Sequence, residues 1–170
     1  MNPYDKVIYL SLKNNINEKK NIGTIISFIR KPFKDRKELK TAVDKWVKND
    51  SKDRKNLINI YGPIEYWDVS NVTDMSNLFY DCNIFNEDIS RWDVSNVTDM
   101  CGMFSYCFNF NGNISRWNLS NVKNMSYMFS FCKTFNQDIS EWDLSTVTDM
   151  KSIFYECISL DLNFKCKEIN

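Results

Sequence analysis

The sequence predicts an α+β repeat solenoid, a right-handed coil of four 25-residue turns with short strands, closed at its N-terminal end by a helical segment. Three observations predict it. Trp67, Trp92, Trp117 and Trp142 are spaced by 25 residues, and Phe79, Phe104, Phe129 and Phe154 keep the same step. Four cysteines, Cys82, Cys107, Cys132 and Cys157, share the period, as do Val72, Val97, Val122 and Val147 and Met75, Met100, Met125 and Met150. No insertion breaks the register across 64–163, so each copy reads as one turn whose apolar positions stack on those of its neighbours. A single turn cannot bury its Trp, Phe and Met side chains alone, which is why at least three copies are needed.

Within a copy, Asp88 to Trp92 suits a short strand and Asp93 to Asn96 a polar turn. Met100 to Cys107 suits a short helical or 3₁₀ segment that turns Met100, Met103, Phe104 and Cys107 inward. Residues 1–62 form the helical cap, and 63–170 the four copies with a short C-terminal cap. Asn2 and Pro3 start a helix near 3–13. Ile22, Ile25, Ile26 and Ile29 repeat the helical spacing up to Pro32. Asp35 and Glu38 make a capping-box pattern ahead of Leu39, Val43, Trp46 and Val47, and a shorter helix near 52–60 follows Ser51 and ends at Gly62. Such a block covers the Trp and Phe columns that the first copy would otherwise expose.

The chain has 170 residues, 43% of them hydrophobic and 15% aromatic, enough for a core and against disorder. Its net charge is zero, yet residues 1–62 carry fifteen Lys/Arg against seven Asp/Glu and the remainder reverses those numbers. Met1 to Leu12 lacks the pattern of a secretory leader, and no apolar run reaches the ~18 residues of a membrane span, which points to a cytoplasmic or host-intracellular protein with reduced thiols.

The motif Trp-Asp-Val-Ser-Asn-Val-Thr-Asp-Met occurs at 67–75 and again at 92–100, followed by Met-Phe-x-x-Cys at 103–107 and 128–132 and Phe-Asn-Gln-Asp-Ile-Ser at 135–140. Over about residues 60–163 this resembles the BspA-like surface-protein repeat, a domain of unknown function abundant in mycoplasma lipoproteins and also found in algae and giant DNA viruses. The resemblance implies a leucine-rich-repeat-like coil and, through its bacterial members, a role in surface adhesion or host interaction. Those members are typically exported, so the missing leader favours an intracellular, viral kind of member, with surface exposure left open.

The cysteine column invites pairing of Cys82 with Cys107, or Cys132 with Cys157, because stacked turns bring Cα atoms within disulfide range. The plainer expectation is a column of small, buried, reduced thiols. With no histidine and no Cys-x-x-Cys pair, zinc is not expected. The recurring acids Asp68, Asp93 and Asp143 with Asn118, and Asp74, Asp99 and Asp149 with Asn124, could bind calcium as stacked carboxylates. They lack the Gly-rich turns of such sites, and closing each turn by accepting backbone N–H bonds explains them more simply.

Zero histidines exclude Ser-His and Cys-His nucleophile systems, and no Gly-rich phosphate loop is present, so the expectation is a non-enzyme without cofactor. The basic stretch Lys31 to Lys55 is diluted by Asp35, Glu38, Asp44, Asp50 and Asp53, which makes nucleic acid an improbable partner and a solvated helix surface the better reading. The expected function is a protein-interaction or scaffolding module contacting an unidentified protein through positions that vary between copies. These are Tyr80 and Tyr155, and Arg91, Arg116 and Glu141. End-to-end self-association of the basic and acidic halves is the alternative, beside adhesion.

Overall fold

The computed structural model describes residues 31–161. The helices expected near 3–13 and over 22–29 lie outside the described residues.

The first helix, α1 (Arg36–Val47), starts where the capping pattern placed it, with the Asp35 carboxylate accepting from the Glu38 N–H at 2.9 Å. Glu38 completes the cap differently from a standard box: its carboxylate takes the Lys34 N–H at 2.9 Å, the Lys31 ammonium and the Tyr61 hydroxyl at 3.0 Å. One residue thus ties the start of α1 to the end of α2 (Ser51–Tyr61). The N-cap of α2 is Asp50 rather than Ser51, accepting from Lys52 and Asp53 N–H. Gly62 ends it at φ 78, a left-handed conformation that glycine adopts without a Cβ penalty.

α1 turns Leu39, Ala42, Val43 and Trp46 inward onto the first copy. The Trp46 ring meets Trp67 edge-on at 5.4 Å, and Phe33 stacks on Tyr61 at 4.2 Å and tilts against Trp67 at 5.1 Å. The first Trp of the series is therefore covered by aromatic rings from outside the copies. Glu87 fixes the arrangement by accepting from Trp46 Nε1 at 3.0 Å and Arg54 Nη2 at 2.7 Å.

Beyond a short 3₁₀ turn at Ile64–Tyr66 the chain runs in turns. Equivalent side chains of consecutive copies meet: Trp67 stacks on Trp92 at 6.2 Å, and Phe79, Phe104, Phe129 and Phe154 follow one another at 5.4, 5.7 and 5.6 Å. Phe85, Phe110 and Phe135 form a parallel column at 6.0 and 6.1 Å, each ring also lying about 4 Å from the Phe79-type ring of its own copy. Each later Trp donates its indole N–H to the isoleucine carbonyl one copy back, as Trp92 does to Ile64 at 2.8 Å.

The expected α+β coil with short strands is not what the chain forms. Among the described residues there is no strand and no sheet, only three isolated parallel bridges, Asp74 to Asp99, Asp99 to Asn124 and Asn124 to Asp149. The reason lies in where the backbone N–H groups go. Those of Met75, Asn77, Phe79 and Asp81 reach the carbonyls of Asp99, Cys101, Met103 and Ser105 in the next copy, while the intervening Leu78, Tyr80 and Cys82 N–H groups close turns onto Met75, Asn77 and Phe79. Each copy then needs left-handed residues at two positions. Asn77, Gly102, Tyr127 and Ser152 occupy one and Asp81, Tyr106, Phe131 and Glu156 the other, with φ between 53 and 63. A chain that reverses hand every four residues cannot stay extended. The Asp88 to Trp92 segment fails as a strand for a second reason: the Asp88 carboxylate takes the Ser90 N–H at 2.9 Å and Trp92 N–H turns back to Ile89 O at 3.1 Å. Met100 to Cys107, expected as a helical segment, belongs to the same run of turns, although Met100, Met103, Phe104 and Cys107 are all buried.

Candidate partner-binding surface

The five candidate contact residues fall on two separate columns. Arg91, Arg116 and Glu141 occupy the position before each buried Trp and are exposed, with the Arg91 guanidinium 5.0 Å over the Tyr66 ring, the first member of that column. Tyr80 and Tyr155 occupy the outer side of the turn run and are 50% and 55% exposed. Between them in their own column stand Ser105 and Ser130, both buried.

What joins Tyr80 to Tyr155 is the neighbouring left-handed column. Tyr80 meets Tyr106 edge-on at 5.6 Å, Tyr106 stacks on Phe131 at 4.6 Å and 13°, and Phe131 meets Tyr155 edge-on at 5.4 Å. Phe108 flanks Tyr106 at 6.3 Å and carries the Lys133 ammonium 5.0 Å over its ring. The four rings make a strip across all four copies, and Tyr106, Phe108 and Phe131 remain half-buried with nothing but solvent completing their cover among the described residues.

Sequence reading missed Tyr106, Phe108 and Phe131. The signal was present: the column Asp81, Tyr106, Phe131 and Glu156 varies as much as the column of Tyr80. What hid it was the expectation of a helical segment, which puts Tyr106 and Phe131 on no common face with Tyr80. A left-handed φ of 63 at Tyr106 and 62 at Phe131 is what swings these side chains outward.

The surrounding turn run is poor in charge. Residues 76–84 and their three copies contain four charged residues, Asp81, Lys133, Lys151 and Glu156, in a chain that is 26% charged. Ile158, 73% exposed, extends the apolar surface at its C-terminal end.

The cysteine column packs as free thiols. Cys107 Sγ donates to Phe79 O at 2.9 Å, Cys132 Sγ to Phe104 O at 3.0 Å and Cys157 Sγ to Cys132 O at 3.1 Å. Burial pushes the Cys82 thiol up to about 11 and raises Cys107 and Cys132 further, so these sulfurs are protonated at neutral pH. Each recurring acid is occupied by its own turn: Asp68, Asp74, Asp93, Asp99, Asp143 and Asp149 accept the N–H two residues on, and Asn118 and Asn124 do the same. No group of three or more His, Cys, Asp or Glu among the described residues is arranged to hold a metal ion. A second ladder, absent from the sequence reading, runs through Asn86, Asn111 and Asn136, whose side-chain oxygens accept the N–H of residues 111, 136 and 161 at 2.8, 2.9 and 2.7 Å.

The basic stretch is partly neutralised in place. Lys31 pairs with Glu38, Lys40 with Asp44 at 2.6 Å and Arg54 with Glu87, while Arg36 donates to Ser76 O and lies 3.4 Å from Asp74. No helix among the described residues is long and apolar enough to cross a membrane.

A family model described as a Mycoplasma protein of unknown function, DUF285, matches residues 49–166. No curated protein and no solved structure matches the chain.

Proposed function

The chain belongs to this Mycoplasma family of unknown function, and since membership brings no activity with it, we propose from its surface that the protein is a non-enzymatic docking module. One observation carries the reading: the ring-to-ring strip Tyr80, Tyr106, Phe131 and Tyr155 on a charge-poor face. Protein interfaces are depleted of charge at their centres and enriched in Tyr and Phe, with charges of both signs at the rim, and Lys133, Lys151, Asp81 and Glu156 supply such a rim. The aromatic side chains are held by ring contacts and by the stacked backbone, so little freedom is lost when a partner covers them. Arg91, Arg116 and Glu141 stand on the other column and are outside the proposed contact.

The finer kinship with BspA-like surface repeats, carried by the motif at 67–75 and 92–100, fits a surface built to be touched and is part of the same proposal. Head-to-tail self-association fits less well, since α1 already covers the first copy through Trp46 on Trp67 and Arg36 on Ser76 O.

The test is paired affinity capture from the native cell with the full chain, a Y80A/Y155A variant and an R91A/R116A variant. The proposal expects proteins retained by the parent to fall at least tenfold with Y80A/Y155A and to be kept by R91A/R116A. Loss with the arginine pair and retention with the tyrosine pair would reject the strip.

A further inference from the structure

We infer that the aromatic strip takes a polyproline II segment, with two prolines three residues apart seated in two openings between its rings; the inference rests on the strip being the docking face. The openings follow from the ring angles. Tyr80 meets Tyr106 at 65° and Phe131 meets Tyr155 at 78°, whereas Tyr106 and Phe131 lie 4.6 Å apart and only 13° from parallel. Parallel rings at that separation touch and admit nothing between them, while rings at a steep angle leave a wedge on the side where they diverge. The strip is therefore closed at its centre and open at two places, one between the first and second copies and one between the third and fourth. Tyr80 and Tyr155, 50% and 55% exposed, form the outer walls.

The backbone sets how far apart these openings are. Phe79 N–H reaches Met103 O, Phe104 N–H reaches Met128 O and Phe129 N–H reaches Ile153 O, each at 2.9 Å. Copies joined by such bonds advance by roughly the 4.8 Å spacing of paired strands, so openings two copies apart are separated by roughly 9.6 Å. The rings agree: half of the 5.6 Å contact, the 4.6 Å stack and half of the 5.4 Å contact put them no more than about 10 Å apart. A polyproline II helix has three residues per turn and rises ~3.1 Å per residue, so prolines three apart recur on one face every ~9.3 Å. An α-helix, whose anchors on one face recur every turn of ~5.4 Å, would set its middle anchor against the closed Tyr106 and Phe131 pair. The polar chemistry points the same way. Polyproline II makes no internal hydrogen bonds, which leaves its carbonyls free to accept, and Tyr80, Tyr106 and Tyr155 each bring a phenol hydroxyl that can donate. Lys133 and Lys151 against Asp81 and Glu156 give the rim no net sign, which suits an uncharged segment better than an acidic or a basic one. Such a segment is extended before it binds, so a narrow strip suffices to hold it.

Fluorescence anisotropy decides it, with the full chain titrated into fluorescein-labelled decaproline, a Gly-Ser peptide of the same length and an Ala-rich helical peptide of the same length. Decaproline offers prolines three apart in every register. The expected result is saturable binding of decaproline at least tenfold tighter than of either control, weakened at least fivefold by Y80A and by Y155A singly and unchanged by R91A/R116A. Both tyrosines are exposed, so the single variants keep the buried columns intact, and their tryptophan emission should equal that of the parent. Absence of saturable decaproline binding up to about 1 mM overturns the inference. So does equal or tighter binding of either control peptide, or a loss confined to one of the two tyrosine variants. If any of these occurs while Y80A/Y155A still loses the proteins captured from the native cell, the strip stands as a docking face and only the proline-rich occupant is removed.

Discussion

Arg54 Nη2 donates to Glu87 Oε1 at 2.7 Å while Trp46 Nε1 donates to Glu87 Oε2 at 3.0 Å, so a single carboxylate holds both cap helices to the first copy. The Arg54 guanidinium also lies 4.7 Å over the Trp46 ring, closing a three-residue contact. Gly112 and Gln137 occupy the corresponding place in the next copies, so Glu87 is specific to the junction. Glu87→Ala leaves two donors without their acceptor and is expected to cost about 1.5–3 kcal/mol, with Glu87→Gln costing less. Urea unfolding followed by tryptophan emission measures both; equal, negligible losses would show that the cap is held by ring packing alone.

The same cap makes stability sensitive to acid. Hydrogen bonds from the Lys31 ammonium and the Lys34 N–H, with one from the Tyr61 hydroxyl, lower Glu38 from 4.5 to about 2. A carboxylate whose folded pKa is depressed stabilises the fold above its unfolded value, and that contribution is lost as pH falls from about 4.5 to about 2. Glu38→Gln should flatten the stability profile across that window while leaving the shape of the curve above pH 6 unchanged. Melting temperatures between pH 2 and 7 provide the comparison.

The recurring acids act through the turn and not through charge. Asn124 takes the Ser126 N–H at 3.0 Å just as Asp99 takes that of Cys101 at 2.8 Å. Asp99→Asn should therefore change stability by less than about 0.5 kcal/mol and Asp99→Ala by roughly 1 kcal/mol, the worth of one such hydrogen bond. Equal losses from the two substitutions would mean that the carboxylate charge matters.

Thiol reactivity separates the cysteines. A buried thiol raised by desolvation forms little thiolate, so Cys107 and Cys132 should resist iodoacetamide in the native protein at pH 8, and Cys101, half-buried and off the column, should be modified before either of them. Peptide mapping after timed alkylation reports the order, and early labelling of Cys132 would contradict the packing.

The period of 25 residues and the caps were legible because they rest on residue identity at fixed spacing: Trp67 to Trp142, Asp35 before Glu38, Gly62 after α2. Secondary structure within the copy was not. Ile89 to Trp92 has the composition of a strand, but the Asp88-x-Ser90 turn overrides it, and no pattern of hydrophobicity announces a left-handed Tyr106 or Phe131. That second point is also why the binding strip was half-seen. Tyr80 and Tyr155 could be found from their variation, but the rings that connect them become neighbours only through backbone conformations that large side chains seldom adopt. The cap contacts of Glu87 were beyond reach for another reason: they join residues 33 and 41 positions apart, and no spacing rule covers such pairs.

The docking face is tested most directly by site-specific photocrosslinking in the native cell, with a benzophenone amino acid placed at Tyr155 or, on another part of the surface, at exposed Ser120. The account predicts discrete crosslinked protein species from position 155 that weaken when Tyr80 is changed to alanine, and none of those species from position 120. Identical adduct patterns from the two positions, or adducts from 120 alone, would contradict it.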